Sequence, residues 1–322
     1  MFNEVLLSNE VIIYLVSQTI LLILQIFALF WVFDILKNWD FNSTKPKQYR
    51  LEKNSYLVML IIFFALIVKI SLIPYFAYVI DNLSNIVPGA MCAAGVISAN
   101  DYGVKLLALK VFIVFFNSIW IIVNSEDLKE KNYPYIKIKL YFFIFIFFLV
   151  LIEYILDILY FTNISLDEIV LCCSVIFGVQ GESTLPLGLD TTKLLILFYL
   201  FYLLNIMANI SKQALLSFVV NIIFLYVAYL SVVEFFGTYI YELPTHKCPF
   251  CMLQKEYYYI GYLLWSMLFL GVFYAISSFV LKFLIKKELA YTYKYSIIFN
   301  TIFVLICTLY VGVYYLKNGV FL

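Results

Sequence analysis

Long apolar runs, interrupted by short polar segments, make up most of the chain. In hydrocarbon every backbone N–H and C=O needs a partner within the protein, so a segment that crosses a membrane is a helix or part of a closed barrel. The runs here are continuous and do not alternate with polar residues, which favours helices. A span needs about 20 apolar residues. This rule predicts one all-α membrane domain over residues 1–322, a transmembrane helical bundle with spans near 11–33, 55–80, 105–124, 139–161, 193–210, 214–236, 257–281 and 295–316.

Composition indicates the same class of protein. Of the 322 residues, 65% are hydrophobic, 20% aromatic and only 13% charged, and the mean hydropathy is +1.00. A soluble domain has about 45–50% apolar residues. The sequence therefore predicts a multi-pass protein whose partner is the lipid bilayer. The net charge is only +1, so no basic surface for nucleic acid is expected.

The basic residues predict the orientation. Lysine and arginine are retained on the cytoplasmic side of a membrane, and 14 of the 21 lie in one set of loops, against 5 in the other set together with the termini. We therefore expect both termini outside and outer loops at 81–104, 162–192 and 237–256. The first apolar run lacks the basic start and cleavage site of a signal peptide, so it is expected to remain as a span. The abundance of Lys, Ile, Phe, Tyr and Asn is typical of an AT-rich genome and favours a bacterial inner membrane.

Five of the six cysteines fall in the predicted outer loops or at their membrane edge. These are Cys92, Cys172, Cys173, Cys248 and Cys251. The outer face is therefore where thiol chemistry is expected. The sixth, Cys307, lies in the middle of a span among apolar neighbours and is expected to be an inert core residue.

The sharpest motif is the C-x-x-C pair formed by Cys248 and Cys251. Such a pair places two sulfurs within bridging distance, and at a helix start the unpaired N–H groups stabilise a thiolate. Thiolate is both a redox nucleophile and a ligand for soft metals. His246, the only histidine of the chain, stands two residues before the pair and is a candidate ligand, proton carrier or thiolate-stabilising cation. A structural disulfide, or haem bound through His246, stays open as an alternative.

The run Cys248-Pro-Phe-Cys251-Met-Leu-Gln-Lys255, followed by tyrosines and a span, resembles the start of the second span in bacterial DsbB-type membrane oxidoreductases. The resemblance implies a thiol-disulfide oxidoreductase that passes electrons from periplasmic thiols to quinone. It implies that Cys248 and Cys251 form the quinone-proximal pair, with Lys255 and the aromatic Tyr258 near the quinone.

The chain departs from that family beyond residues 248–259. The family is a four-span bundle whose second cysteine pair follows in the next outer loop, yet here only Cys307 follows. Thiols that exchange with the C-x-x-C pair, or with a periplasmic thiol protein, are therefore expected from Cys92 or from Cys172 and Cys173.

Two further functions remain open. The outer cysteines, Met91, Met252 and His246 form a soft-ligand inventory that suits Cu(I), and zinc also accepts Cys and His. On this alternative Cys248, Cys251, His246 and Met252 are metal ligands, and the partner is a periplasmic metal carrier. The other alternative is a structural subunit of a membrane complex, braced by disulfides.

Five ionisable residues are expected inside spans, in the outer half of the membrane. They are Lys69, Lys110, Glu153, Asp157 and Glu234. Such residues are costly and usually face the bundle interior. They are expected either to neutralise one another and lock the bundle, or to form a proton or ion route towards the outer thiols. The inner half contains almost no charge, which disfavours an ion-coupled transporter.

Overall fold

The computed structural model describes residues 4–41, 43, 45–130, 132–170 and 190–322. Within these residues the regular secondary structure is helical, without strands. In this described part of the chain, eight helices are long and apolar enough to cross a membrane. The predicted all-α fold with eight spans is confirmed, and the chain is a multi-pass membrane protein.

The first four long helices lie within residues 9–162. They are α1 (Asn9–Asn38), α2 (Pro46–Leu83), α4 (Gly103–Asp127) and α5 (Ile136–Thr162), with a short helix α3 (Ala93–Ile97) between α2 and α4. Proline is at the start of α2, where its missing N–H costs nothing.

The second four spans follow residue 190. They are built from α6 (Thr191–Ile210), α7 (Ala214–Ser231), α8 (Gly237–Tyr241), α9 (Ile260–Leu284) and α10 (Ala290–Asn318). A π-helical turn, Val232–Phe236, joins α7 to α8, so the sixth span is continuous over Ala214–Tyr241.

The chain divides into two compact units, a division for which the sequence offers no visible boundary. Unit 1 comprises Met1–Ile86 and Ile97–Asp167, and unit 2 comprises Val87–Val96 and Glu168–Leu322. Each unit therefore contains four of the eight spans. Unit 2 also includes the short segment Val87–Val96, which contains Cys92.

The four helices of unit 1 pack in a ring. Both α1 and α4 pack against α2 and against α5. The core at one end contains Trp120, Leu140 and Phe143, all fully buried. The Trp120 indole N–H donates to the Lys139 carbonyl oxygen at 2.9 Å, which satisfies a polar group that burial would otherwise make costly.

Lys139, the first residue of the predicted span 139–161, is buried in the structure. Because α5 begins at Ile136, Lys139 lies in the first turn of that helix and is only 1% exposed. Its Nζ lies 2.6 Å from Asp127 Oδ2 and donates to Asn124 Oδ1 at 2.9 Å. We call these three residues the Lys139 cluster. An ion pair is therefore buried at the start of α5.

Unit 2 is held by buried aromatic rings and amides. Phe198, Phe224 and Phe303 have ring centroids 5.8–6.3 Å apart. Asn221 Oδ1 accepts from Asn205 Nδ2 at 2.7 Å and from Asn300 Nδ2 at 3.0 Å, and such bonds bind apolar spans to one another.

The seventh span begins later than the sequence predicts. Residue 257 ends a 3₁₀ turn, and Tyr258 and Tyr259 have left-handed backbone angles, with φ of 54° and 56°. These conformations cannot continue a helix, so α9 begins at Ile260. The C-x-x-C pair consequently does not lie at the start of this helix, and the helix-dipole argument for its thiolate was wrong.

Candidate thiol site

Three cysteines of unit 2 meet at one point. Cys92, Cys248 and Cys251 place their sulfur atoms within 4.8 Å of one another, and Cys92 Sγ lies 3.6 Å from Cys248 Sγ. They are thiols, and their exposed fractions are 0%, 2% and 4%. We call these three residues the thiol triad. Among the described residues it is the one group of three or more Cys, His, Asp or Glu side chains close enough to hold a metal ion.

Two separate chain segments supply the triad. Cys92 immediately precedes α3, whereas Cys251 begins a 3₁₀ turn, Cys251–Leu253. The Gln254 side-chain amide donates to the Met91 carbonyl oxygen at 3.2 Å, which ties the turn after Cys251 to the residue before Cys92. The triad is thus assembled by tertiary contacts within unit 2.

Tyr241 supports the C-x-x-C turn. Its hydroxyl donates to the Cys248 carbonyl oxygen and accepts from the Met252 N–H at 3.1 Å. One buried hydroxyl therefore satisfies backbone groups on both sides of Cys251. Tyr241 is only 5% exposed.

The start of α9 packs closely against the same turn. The Trp265 indole N–H donates to the Pro249 carbonyl oxygen at 3.3 Å. A Cβ on Gly261 would lie 2.6 Å from Met252 Cγ and 2.9 Å from Leu253 Cδ2. These distances are below van der Waals contact, so the absence of a side chain at Gly261 allows the turn to rest on the helix.

His246 lies beside the ring of Tyr241 and outside the thiol triad. Its ring centroid is 4.4 Å from that of Tyr241, and its Nε2 is buried without a hydrogen-bond partner in the described part of the chain. Burial lowers the pKa of His246 from its ordinary value of 6.5, which favours the neutral ring at pH 7. Of the roles expected from the sequence, burial disfavours the thiolate-stabilising cation.

The neighbouring charges are paired. Lys247 forms an ion pair with Glu234, which lies in the π-helical turn before α8.

Tyr257 lies against the other side of Tyr241, with ring centroids 4.7 Å apart. Burial, and then the charge that Cys251 carries as a thiolate, raise the pKa of Tyr257.

The other predicted site residues have different surroundings. Lys255 is exposed, and Tyr258 and Met91 are 91% and 72% exposed. Met252 is fully buried, with its side chain against Gly261. Cys307 is fully buried and is not part of the sulfur group.

Cys172 and Cys173 lie outside the described residues. The described chain reaches Val170, whose N–H donates to the Pro88 carbonyl oxygen at 3.0 Å. Pro88 belongs to the same short segment of unit 2 as Cys92.

Four of the predicted intramembrane charges meet inside unit 1. Lys110 Nζ lies 2.7 Å from Glu153 Oε1 and 2.9 Å from Asp157 Oδ1, and Lys69 Nζ lies 2.8 Å from Glu153 Oε2. Tyr14 donates to Asp157 at 3.2 Å. None of these side chains is more than 3% exposed.

Gln18 completes this group. Its Nε2 donates to Tyr14 Oη at 2.7 Å, and its Oε1 accepts from Lys69 Nζ at 2.6 Å. Sequence reasoning overlooked both Tyr14 and Gln18, although their spacing of four residues places them on one helix face. The charge cluster of unit 1 comprises Tyr14, Gln18, Lys69, Lys110, Glu153 and Asp157.

The separations in the thiol triad allow two kinds of chemistry. A disulfide requires an S–S distance of about 2.05 Å, so a shift of Cys92 or Cys248 by less than 2 Å in side-chain position, roughly one rotamer adjustment, would join them. With metal–sulfur bonds of about 2.3 Å, two thiolates on one ion lie about 3.8–4.0 Å apart. Both a disulfide and a soft ion are compatible with a site of this size.

Comparisons with known proteins do not identify the chain. No protein-family model, no curated protein and no solved structure matches it. The candidate function therefore follows from the triad and its surroundings.

Proposed function

We propose that the protein is a thiol-disulfide oxidoreductase of the bacterial inner membrane and that the thiol triad is its redox centre. The observation that carries this proposal is the meeting of three buried thiols within 4.8 Å. A C-x-x-C pair stores one disulfide. A third thiol in contact with it provides a nucleophile that can exchange with that disulfide.

The exchange begins with oxidation of the pair. Cys248 and Cys251 lose two electrons and two protons to an acceptor, and their sulfurs become joined. A quinone that takes up these electrons and protons becomes a quinol. A thiolate of a periplasmic partner then attacks one sulfur and forms a mixed disulfide. The partner's second thiol resolves that bond, so the pair is reduced again and the partner is oxidised.

Cys92 moves the disulfide within the site. Its thiolate attacks Cys248 Sγ, the sulfur 3.6 Å away, forms a Cys92–Cys248 disulfide and releases Cys251 as a thiolate. No electrons are gained or lost in this step. Cys248 is thus the sulfur common to both disulfides.

The acceptor is proposed to be a quinone on two grounds. The C-x-x-C run resembles that of DsbB-type oxidoreductases, and Tyr258 presents an exposed ring within seven residues of Cys251. Lys255 is exposed between them. These two side chains are the candidates for contact with a quinone ring and its carbonyl oxygen.

The test is quinone reduction by a dithiol. Purified protein is mixed with dithiothreitol and a short-chain ubiquinone, and quinone absorbance is followed. Cys248→Ser should abolish the catalysed rate, because it removes the sulfur common to both disulfides. Cys307→Ser, which also removes one buried thiol of unit 2, should keep it. Equal rates in these two variants would reject the redox function.

A soft-metal site is the second candidate, favoured by the sulfur separations. The 3.6 Å between Cys92 and Cys248 is close to the spacing of two thiolates on one ion, and thiolates select Cu(I) and zinc. Reduced protein should then bind about one ion per chain, with the triad as the ligand set. Elemental analysis and competition with a Cu(I) chelator measure this. Equal metal content in the wild type and in Cys248→Ser would reject the metal function.

A further inference from the structure

Two buried amides lie between the charged groups of unit 1. Gln25 on α1 and Asn117 on α4 are fully buried. The nitrogen and oxygen atoms of both side chains have no hydrogen-bond partner among the residues that the structure describes. Buried polar groups in native structures nearly always have a partner, supplied by the protein or by ordered water. Both amides therefore indicate a polar partner, such as ordered water, in the interior of unit 1.

Helix geometry places these amides in line with the charge cluster. Gln25 is seven residues after Gln18 on α1, and Asn117 is seven residues after Lys110 on α4. Seven residues are close to two helical turns, so each pair shares a helix face and is separated by about 10.5 Å along the axis. Since Gln18 and Lys110 point into the bundle, the amides continue the same interior line.

The line ends at the Lys139 cluster. Asn124 is seven residues after Asn117 on α4 and accepts from Lys139 Nζ. On α5, Lys139 and Asp157 are 18 residues apart, which corresponds to about 27 Å at 1.5 Å per residue. A membrane's hydrocarbon core is about 30 Å thick. The polar line therefore runs over most of the thickness that a span must cross.

We propose that unit 1 conducts protons along this line, with ordered water at Gln25 and Asn117 completing the path between the two clusters. Two amides offer the two to four polar partners that a buried water needs. A proton moves along a chain of hydrogen bonds without its carrier having to move. This function is separate from the thiol chemistry of unit 2.

The charges on the line favour a proton over a metal cation. The groups that face it are the carboxylates and lysines of the two clusters together with the Tyr14 hydroxyl. Lys69, Lys110 and Lys139 are all buried on the path and repel an entering cation. Each is paired with a carboxylate at 2.6–2.9 Å, and a proton can pass between the partners of such a pair with little change in geometry.

Proton flux into vesicles tests the proposal. The full chain is reconstituted into vesicles that contain a pH-sensitive dye, and a potassium diffusion potential drives proton entry. We expect flux in the wild type, and a loss of about tenfold, or a barrier higher by about 1.4 kcal/mol, when Gln25→Leu and Asn117→Leu are combined. Asn205→Leu, the same change at a buried amide of unit 2, is the matched control and should leave flux unaltered.

A second variant separates conduction from folding. Asn117→Asp keeps a polar side chain and adds a titratable group, so flux should persist with a changed dependence on pH, which a purely structural residue would not produce. Thermal unfolding identifies any variant that fails to fold. Wild-type vesicles as proton-tight as protein-free vesicles, or equal flux in the wild type and in a folded double-leucine variant, would overturn the proposal.

Discussion

Lys110→Met removes the central cation of the charge cluster in unit 1. Lys110 is fully buried and contacts Glu153, Asp157 and Tyr14. Methionine has a similar length, so the main change is electrostatic. Glu153 keeps its ion pair with Lys69, but among the described residues Asp157 keeps only its hydrogen bond from Tyr14. Breaking a buried pair by removing one partner costs about 3–5 kcal/mol, and we expect a loss of stability in this range.

A second substitution tests the cause of that loss. Combining Lys110→Met with Asp157→Leu removes both the cation and the carboxylate that it leaves unpaired. Replacing a buried ion pair by apolar residues is often neutral, so the double variant should regain most of the stability, with a coupling energy of about 2 kcal/mol or more. The assay is equilibrium unfolding in mixed micelles.

Lys247→Met is the matched control for Lys110→Met. Its ion pair with Glu234 is 17–19% exposed, and pairs that reach solvent contribute about 1 kcal/mol or less. Similar losses for Lys110→Met and Lys247→Met, or additive losses for Lys110→Met and Asp157→Leu, would refute the reasoning.

Three further predictions concern the thiol site. Tyr241→Phe removes the hydroxyl shared by the Cys248 carbonyl and the Met252 N–H, so it should destabilise the protein by about 1–3 kcal/mol; unchanged thermal unfolding would contradict this. Gly261→Leu places a side chain where Met252 packs and should speed alkylation of Cys248 by a maleimide; an unchanged rate would show that the turn is not held there. Burial lowers the pKa of His246, so the stabilising contribution of the neutral His246 ring is present above pH 6.5 and is lost as pH falls. His246→Gln should therefore reduce the drop in melting temperature between pH 7.5 and 5.5.

The sequence predicted the spans well because each apolar run is close to, or longer than, the roughly 20 residues that cross the hydrocarbon core. The predicted helix boundaries are less accurate where the local backbone conformation determines the residue at which a helix begins. The left-handed angles of Tyr258 and Tyr259 end the turn before α9, and tyrosine gives no local sign of them. Likewise, α5 begins three residues before the predicted span 139–161, at Ile136, so Lys139 lies inside the helix and is buried.

The triad was only partly predictable. The C-x-x-C motif identifies Cys248 and Cys251 by spacing alone. Nothing local identifies Cys92 as their neighbour, since 156 residues separate it from Cys248, and the contact depends on tertiary packing in unit 2. The role of Tyr241 was not predictable either. The chain has 28 tyrosines, and the sequence does not show which of them forms hydrogen bonds with the C-x-x-C turn.

The most direct test of the thiol triad is disulfide mapping by mass spectrometry after oxidation of the reduced protein with diamide. We expect a link between two of Cys92, Cys248 and Cys251, with Cys307 remaining a thiol. Full alkylation of all three after an oxidation that converts a control dithiol peptide would contradict it.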